Sequence, residues 1–282
     1  MKKDTLTIRF LYKTVIGRWI LKILTQPLLS KYIGMFLDSR LSAWIVPLFI
    51  RKHRIDMSPY NGTKYPSFNA FFTRKRNENP LDARPECLIS PCDGYLSIYP
   101  ISEHQIYHIK HIEYHLDRLL ESKKLAKQFS GGICMIFRLT PQDYHHYCYV
   151  CDGIGMKSKI IKGRLHCVRP TAYTSCPVFT ENSREFEEIR TQYYGNVIQM
   201  EIGALLVGKI HNYSNKKRII KGEEKGYFEF GGSTIIVLVE RERLRVDERI
   251  VDNMRRGLET KVSLGESVGV LQKRMNLPNS HI

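Results

Sequence analysis

The side chains that could do chemistry concentrate in one stretch and one corner. His145, His146, Cys148 and Cys151 lie close together, and His166 and Cys167 follow. Imidazole and thiolate are preferred zinc ligands, so a C-x-x-C pair with a later His-Cys pair could hold that metal. A second C-x-x-C or H-x-x-x-H pair is missing, and satisfied core histidines with small buried thiols explain the same residues. The corner is Gly231-Gly232-Ser233-Thr234, which runs straight into the apolar segment Ile235 to Leu238. Two glycines free the backbone for strained dihedrals and remove bulk beside the Ser233 hydroxyl. By spacing alone, an ordinary turn between two strands is the simpler reading.

The generic motifs of nucleotide binding and hydrolysis are absent: there is no G-x-G-x-x-G, P-loop, H-E-x-x-H or G-x-S-x-G. The 282 residues are 43% apolar and 11% aromatic, which excludes a disordered or coiled-coil chain. Lys and Arg number 44 against 28 Asp and Glu, a formal charge of +16 that seeks an acidic partner. Residues 1–60 carry eleven Lys and Arg against three Asp, a net +8 that is half of the total. The same region is strongly apolar, at Ile8 to Leu24, Leu28 to Leu37 and Leu41 to Ile50, and holds both tryptophans, Trp19 and Trp44. Charges interrupt every run short of the roughly 18 uncharged residues that a membrane span needs. Two or three helices lying in an anionic lipid interface fit this pattern, with a basic helical bundle packed on the following domain as the alternative. Basic residues interleaved with aromatics on a reading face would mark a nucleic-acid binder, and that pattern is not found. Seven cysteines, an odd number without disulfide-scaffold spacing, suit a reducing compartment. No secretory signal is visible.

Beyond residue 60 the sequence reads as short strands between Gly, Pro and Asp-Gly punctuation: 133–139, 160–168, 197–202, 203–210 and 234–240. One helix is expected over Tyr114 to Phe129, ended by Gly131-Gly132. The fold class is α+β, with N-terminal membrane-surface helices followed by a mostly antiparallel β catalytic domain.

Several segments, in order, resemble the phosphatidylserine decarboxylase proenzymes. Phe68-Asn69-Ala70-Phe71-Phe72-Thr73-Arg74-Lys75 is similar to their F-x-x-F-F-x-R signature, and Ser90-Pro91-Cys92-Asp93-Gly94 to S-P-x-D-G. Arg138 to His145 resembles R-L-x-P-x-D-Y-H; Val207-Gly208, Lys221-Gly222-Glu223 and Gly226-Tyr227-Phe228 are also similar. Gly231-Gly232-Ser233-Thr234 resembles the self-cleavage site. The resemblance implies a basic helical region over 1–60, a large chain ending at Gly232 with its catalytic body over 61–232, and a small chain 233–282. Ser233 would become a pyruvoyl group, the covalent cofactor that decarboxylates phosphatidylserine to phosphatidylethanolamine. Asp93 matches the charge-relay aspartate and His145 the histidine of decarboxylation. The implied partners are an anionic phospholipid membrane, the phosphatidylserine substrate and the two cleaved chains as a heterodimer. The implied location is peripheral, at the cytoplasmic face of the cell membrane.

The sequence departs from the family at one position. Many members read Tyr-His-x-x-His, the last histidine being the self-cleavage base, where this chain has Cys148. A hairpin centred near Lys157 would set His166 opposite Cys148 and let it substitute, with His146 as the fallback. Two other readings stay open: a cleavage-deficient membrane-binding protein of the same fold, and a metal site built from His145, Cys148, Cys151 and His166.

Overall fold

The computed structural model describes residues 10–11, 14, 16–17, 19–20, 25–60, 64–174, 176–204, 209–213, 217–230 and 233–272. The chain begins with helices α1 (Pro27–Asp38), α2 (Ile45–His53) and α3 (Phe68–Phe72). Strands β1 (Cys87–Ile89), β2 (Gly94–Pro100), β3 (Ile106–Ile109) and β4 (Ile112–His115) lead to helices α4 (Leu116–Leu120) and α5 (Lys123–Gln128). Then come β5 (Ile133–Leu139), β6 (His146–Cys148), β7 (Gly153–Ile161), short helices α6 (Pro170–Tyr173) and α7 (Val178–Glu181), β8 (Arg184–Arg190) and β9 (Asn196–Gly203). Strands β10 (Ile210–Asn212), β11 (Arg218–Ile219), β12 (Glu224–Phe228), β13 (Ser233–Val239) and β14 (Leu244–Val246) precede α8 (Glu248–Arg255), β15 (Thr260–Val262) and β16 (Ser267–Leu271).

The centre is an eight-stranded antiparallel sheet in the order β11-β7-β8-β9-β13-β5-β2-β15. Strand β13, Ser-Thr-Ile-Ile-Val-Leu-Val, is buried throughout. It lacks alternation because both of its faces are covered. On one face Ile136, Met200, Ile202, Ile236 and Leu238 pack against the β3–β4 hairpin and the helices α4 and α5. On the other, Phe137, Leu139, Ile235 and Val237 pack against Tyr147, Phe228 and Ile250. A smaller sheet, β10-β12-β6, supplies Tyr147 and Phe228 to that second face.

The helices α1, α2 and α3 form a separate aromatic cluster of Leu37, Val46, Phe49, Phe68, Phe71 and Phe72, closed by Phe230. Their outer surface leaves Tyr32, Met35, Leu41, Trp44 and Leu48 exposed. Among the described residues no helix is long and apolar enough to cross a membrane. Most of the expected segment 8–24 lies outside the described residues.

The α+β class and the strands at 133–139, 197–202 and 234–240 agree with the sequence reading, and three local expectations do not. The helix expected over 114–129 is instead β4 and two short helices. Tyr114 joins the hairpin and stacks on Tyr107 at 5.2 Å, and the chain breaks at Glu121, whose φ is +46°. Ser122 then caps α5, its Oγ accepting from the Leu125 amide. The hairpin centred on Lys157 is absent. β7 continues through that residue with an irregularity in register between Gly155 and Ser158, pairing with β8 on both sides of it and with β11 at its start. The strand expected over 160–168 ends at Ile161. At Gly163 a Cβ would lie 2.3 Å from the Glu181 carbonyl oxygen, so the chain can turn there only with glycine. Residues 205–208 of the expected 203–210 strand lie outside the described residues, with β9 ending at Gly203 and β10 starting at Ile210.

Candidate active site

Ser233 opens β13 and is buried, opposite Leu139 of β5 on one side and Gly203 of β9 on the other. Directly opposed residues share a face, so its side chain points to the side of Ile235 and Val237, toward Tyr147 and Phe228. The Ser233 hydroxyl has no hydrogen-bond partner among the described residues. A buried hydroxyl left unpaired is costly, and such sites are where function is found.

His145 stands just before β6, and its carbonyl extends that ladder by accepting from the Phe228 amide at 3.0 Å. A rigid turn delivers it. Asp143 accepts from the Thr140 amide and hydroxyl at 2.7 and 2.6 Å and from Lys261, while its carbonyl accepts from His145 Nδ1 at 2.9 Å. A carbonyl can only accept, so Nδ1 carries the proton and Nε2 holds the free lone pair. Nε2 is buried and has no hydrogen-bond partner among the described residues. The ring lies 3.9 Å from that of Phe72, and Phe72 in turn packs 5.1 Å from Phe230, three residues before Ser233. Burial, helped by the Arg74 charge, pulls the imidazole down to about 3, so it is neutral at ordinary pH.

Asp93 precedes β2 at the same end of the sheet, one strand across from Ser233. Tyr95 pairs with Arg138, so Gly94 lies level with Leu139, the residue opposite Ser233. A Cβ at Gly94 would sit 2.6 Å from the Arg138 carbonyl oxygen, which explains the glycine after Asp93. The carboxylate is held by both terminal nitrogens of Arg76 and by the Leu264 amide at 2.9 Å. Arg76 also lies over the Tyr144 ring at 4.6 Å, so Asp93, Arg76 and Tyr144 form one packed stack beside His145.

Known proteins share this arrangement of segments. The family model described as phosphatidylserine decarboxylase matches residues 68–270. The chain is similar to phosphatidylserine decarboxylase proenzyme 2 of Clostridium acetobutylicum, 42% identical over 93% of this chain and 91% of that protein. It is also similar to the phosphatidylserine decarboxylase proenzymes of Clostridium botulinum and Clostridium novyi, 37% and 38% identical over 93% of this chain and 91% and 92% of theirs. The chain belongs to the phosphatidylserine decarboxylase family.

Against the family pattern, Cys148 and His166 stand apart from each other. Cys148 lies opposite Glu224 in the β6–β12 pair, its Sγ 3.9 Å from the Ser90 carbonyl, and burial pushes its thiol up to about 12. His166 lies in the connection between β7 and β8. Its backbone is held at both ends by the Asn182 side chain, which also donates to the Gly203 carbonyl at 2.8 Å. Its Nε2 lies 3.2 Å from Glu181 Oε2, and that contact holds the Glu181 carboxyl below its usual range. The opposition of Cys148 and His166 is not formed, because β7 continues past Lys157 and pairs with β8 where the hairpin would have turned. His146 points away from His145, as strand alternation requires, with Nδ1 2.6 Å from Glu224 and Nε2 2.9 Å from the Thr73 carbonyl. Among the described residues, no three His, Cys, Asp or Glu side chains are grouped as a metal site. The glycines of the corner, Gly231 and Gly232, lie outside the described residues.

The sequence reading missed Arg76 as the partner of Asp93 and Asn69 as a ligand of the segment before Ser233, described below. The only signal for Arg76 was the basic run Arg74-Lys75-Arg76.

The depressed His145 has a measurable consequence. Between about pH 3 and 6.5 the unfolded chain binds a proton that the folded chain refuses, so folding stability rises with pH across that window and acid removes it. In the Ser233→Ala protein, a further His145→Phe change should flatten this dependence by up to about 1.4 kcal/mol per pH unit. Urea unfolding at several pH values measures it; equal slopes in the two proteins would refute the assignment.

Proposed function

We propose that this chain is a proenzyme that cleaves itself between Gly232 and Ser233 and then decarboxylates phosphatidylserine to phosphatidylethanolamine. The observation that carries the reading is that Ser233 Oγ and His145 Nε2, on the same face of one sheet end, are both buried without a hydrogen-bond partner among the described residues. A hydroxyl and an imidazole lone pair in that state are what a nucleophile and its base require. His145 Nε2 takes the Ser233 proton as Oγ attacks the Gly232 carbonyl carbon. The Gly232–Ser233 C–N bond breaks and the acyl group passes from nitrogen to Oγ as an ester. Loss of the Ser233 α-proton then expels the Gly232 carboxylate and leaves dehydroalanine. Water converts that to a pyruvoyl group with release of ammonia.

The base is His145 in this reading, rather than His166, because the His166 ring is taken up by Glu181. Asp93, fixed by Arg76, contributes a negative charge that favours the imidazolium as it forms. The pyruvoyl group, attached at residue 233, supplies a carbonyl that accepts the electrons released with carbon dioxide. His145 then lies where it can hold or return a proton beside that carbonyl. The apolar side chains exposed on α1 and α2, with the +8 of residues 1–60, would hold the protein on an anionic membrane. A cytoplasmic-face position suits the basic N-terminal region and the odd count of seven cysteines.

Denaturing mass spectrometry tests the maturation step. The wild-type protein should give two chains, 1–232 and a small chain from residue 233 with a blocked start. Ser233→Ala should stay whole, His145→Ala should cleave at least 100-fold more slowly, and His166→Ala should cleave. A single intact wild-type chain would instead favour the cleavage-deficient membrane binder. Because β13, β15 and β16 of the small chain pair with β5, β9, β2 and β1 of the large one, the two should elute together in size exclusion and separate only in denaturant. Vesicles containing phosphatidylserine should sediment the protein at low salt and release it as salt rises, while phosphatidylcholine vesicles bind it more weakly.

A further inference from the structure

The segment entering the cleavage corner is held by the N-terminal helices. The Phe230 amide donates to Asn69 Oδ1 at 3.3 Å, and Asn69 Nδ2 donates to Asp38 Oδ1 at 2.8 Å. Asp38 is the last residue of α1, and Asn69 is buried in α3. A second connection runs beside the first. The Ser42 hydroxyl donates to the Leu37 carbonyl and accepts from the Phe68 amide at 2.9 Å, pinning the start of α3 to the end of α1. Around these polar links the Phe230 ring is enclosed by Phe49, Phe68 and Phe72 at 6.1, 4.9 and 5.1 Å.

Both ends of the Asn69 amide are used, and the orientation is fixed by chemistry. Only the carbonyl oxygen can accept from Phe230, and only the NH₂ can donate to Asp38. The Phe230 amide is two residues from Gly232. Beyond it stand two glycines, which offer no side chain to pack. Attack by Ser233 depends on the Gly232 carbonyl being presented at the correct distance and angle, and a displacement of about 1 Å can cost roughly 100-fold.

We infer that Asn69 is a positioning residue for self-cleavage, holding the Phe230 backbone so that the Gly232 carbonyl faces Ser233, with Asp38 of α1 fixing the Asn69 amide. The inference rests on the maturation reading above. It makes the helices α1 and α3 part of the processing apparatus.

The test uses the full chain made by cell-free synthesis, with cleavage followed over time by denaturing mass spectrometry and folding checked by thermal unfolding. Asn69→Leu should slow cleavage tenfold or more at temperatures where the protein stays folded. Asn69→Asp alone should also be slow, because two carboxylates then face each other and no donor lies between them. The exchange Asp38→Asn with Asn69→Asp keeps the Phe230 amide donating to residue 69 and restores the hydrogen bond between residues 38 and 69 with its donor and acceptor reversed, and should recover cleavage to within about threefold of wild type. That recovery is a readout that a general loss of packing would not produce, and it does not require Asn69→Leu to fold. Wild-type cleavage rates in folded Asn69→Leu, or an exchange variant no faster than Asn69→Asp, would overturn the inference. A wild-type chain that never splits while Ser233→Ala looks the same would overturn the maturation reading, and the positioning role with it.

Discussion

The pairing of β13 fixes everything at the reactive end of the sheet. Seven consecutive residues, from Ser233 to Val239, are matched to β5 on one side and β9 on the other. A strand bonded on both edges and buried on both faces cannot slide, because a one-residue slip would turn every side chain to the opposite core. Ser233 is the first residue of that register, so its hydroxyl is aimed by the six residues that follow. In the proposed maturation, the same pairing would hold residue 233 in place after a cut before it, because both ladders of β13 begin at Ser233.

Electrostatics at this end are settled by which charges are buried in pairs and which group is buried alone. Asp93 is matched to Arg76, and Arg138 to Glu259 through two hydrogen bonds. Beneath the sheet the buried Lys225 and Glu201 meet at 2.6 Å and share Asn212. A buried ion that loses its partner costs several kcal/mol, so these pairs are fixed points of the fold. His145 has no carboxylate in hydrogen-bond contact; it is buried against Phe72 and feels Arg74, and so it stays neutral. The tautomer is then set by one neutral acceptor, the Asp143 carbonyl. A neutral imidazole with its lone pair free is the useful outcome of burying a histidine in this way.

How much of this was legible in the sequence follows from the range of the interactions. Asp93, His145 and Ser233 were singled out because each sits in a short motif, and in two of these a neighbour does local work: Gly94 against Arg138 and Asp143 across its own turn. The strands at 133–139 and 234–240 were visible as uninterrupted apolar runs. Register between distant strands was not visible, and the hairpin placed at Lys157 failed for that reason. Asp152-Gly153 and Lys162-Gly163 both read as turns, and only tertiary pairing with β8 decides that the chain continues as one strand between them. The helix expected at 114–129 failed where Tyr114 gains more from the hairpin core than from a helix face. Asn69 and Arg76 carried no local pattern, since their partners lie 161 and 17 residues away.

The substitution at Cys148 bears on how a self-cleaving chain can dispense with its usual base. A thiol held near 12 is ionised in only about one molecule in 10⁵ at pH 7, and its sulfur faces the Ser90 carbonyl. It serves as a small apolar filler. His145, by contrast, is unprotonated at ordinary pH, but a group titrating near 3 is a weak proton acceptor in isolation. In the proposed self-cleavage it would not act in isolation. As Ser233 gave up its proton, an oxyanion would form beside the new imidazolium, and the pair would stay neutral overall. Two such charges about 4 Å apart attract by roughly 4 kcal/mol at an effective dielectric of 20, which offsets most of what burial took from the imidazole. The Asp93 carboxylate adds to this from one strand away. A reaction that each molecule performs once tolerates a slow base, provided that the geometry is held while it waits. That places the burden on the strand register and on the contacts that hold Phe230.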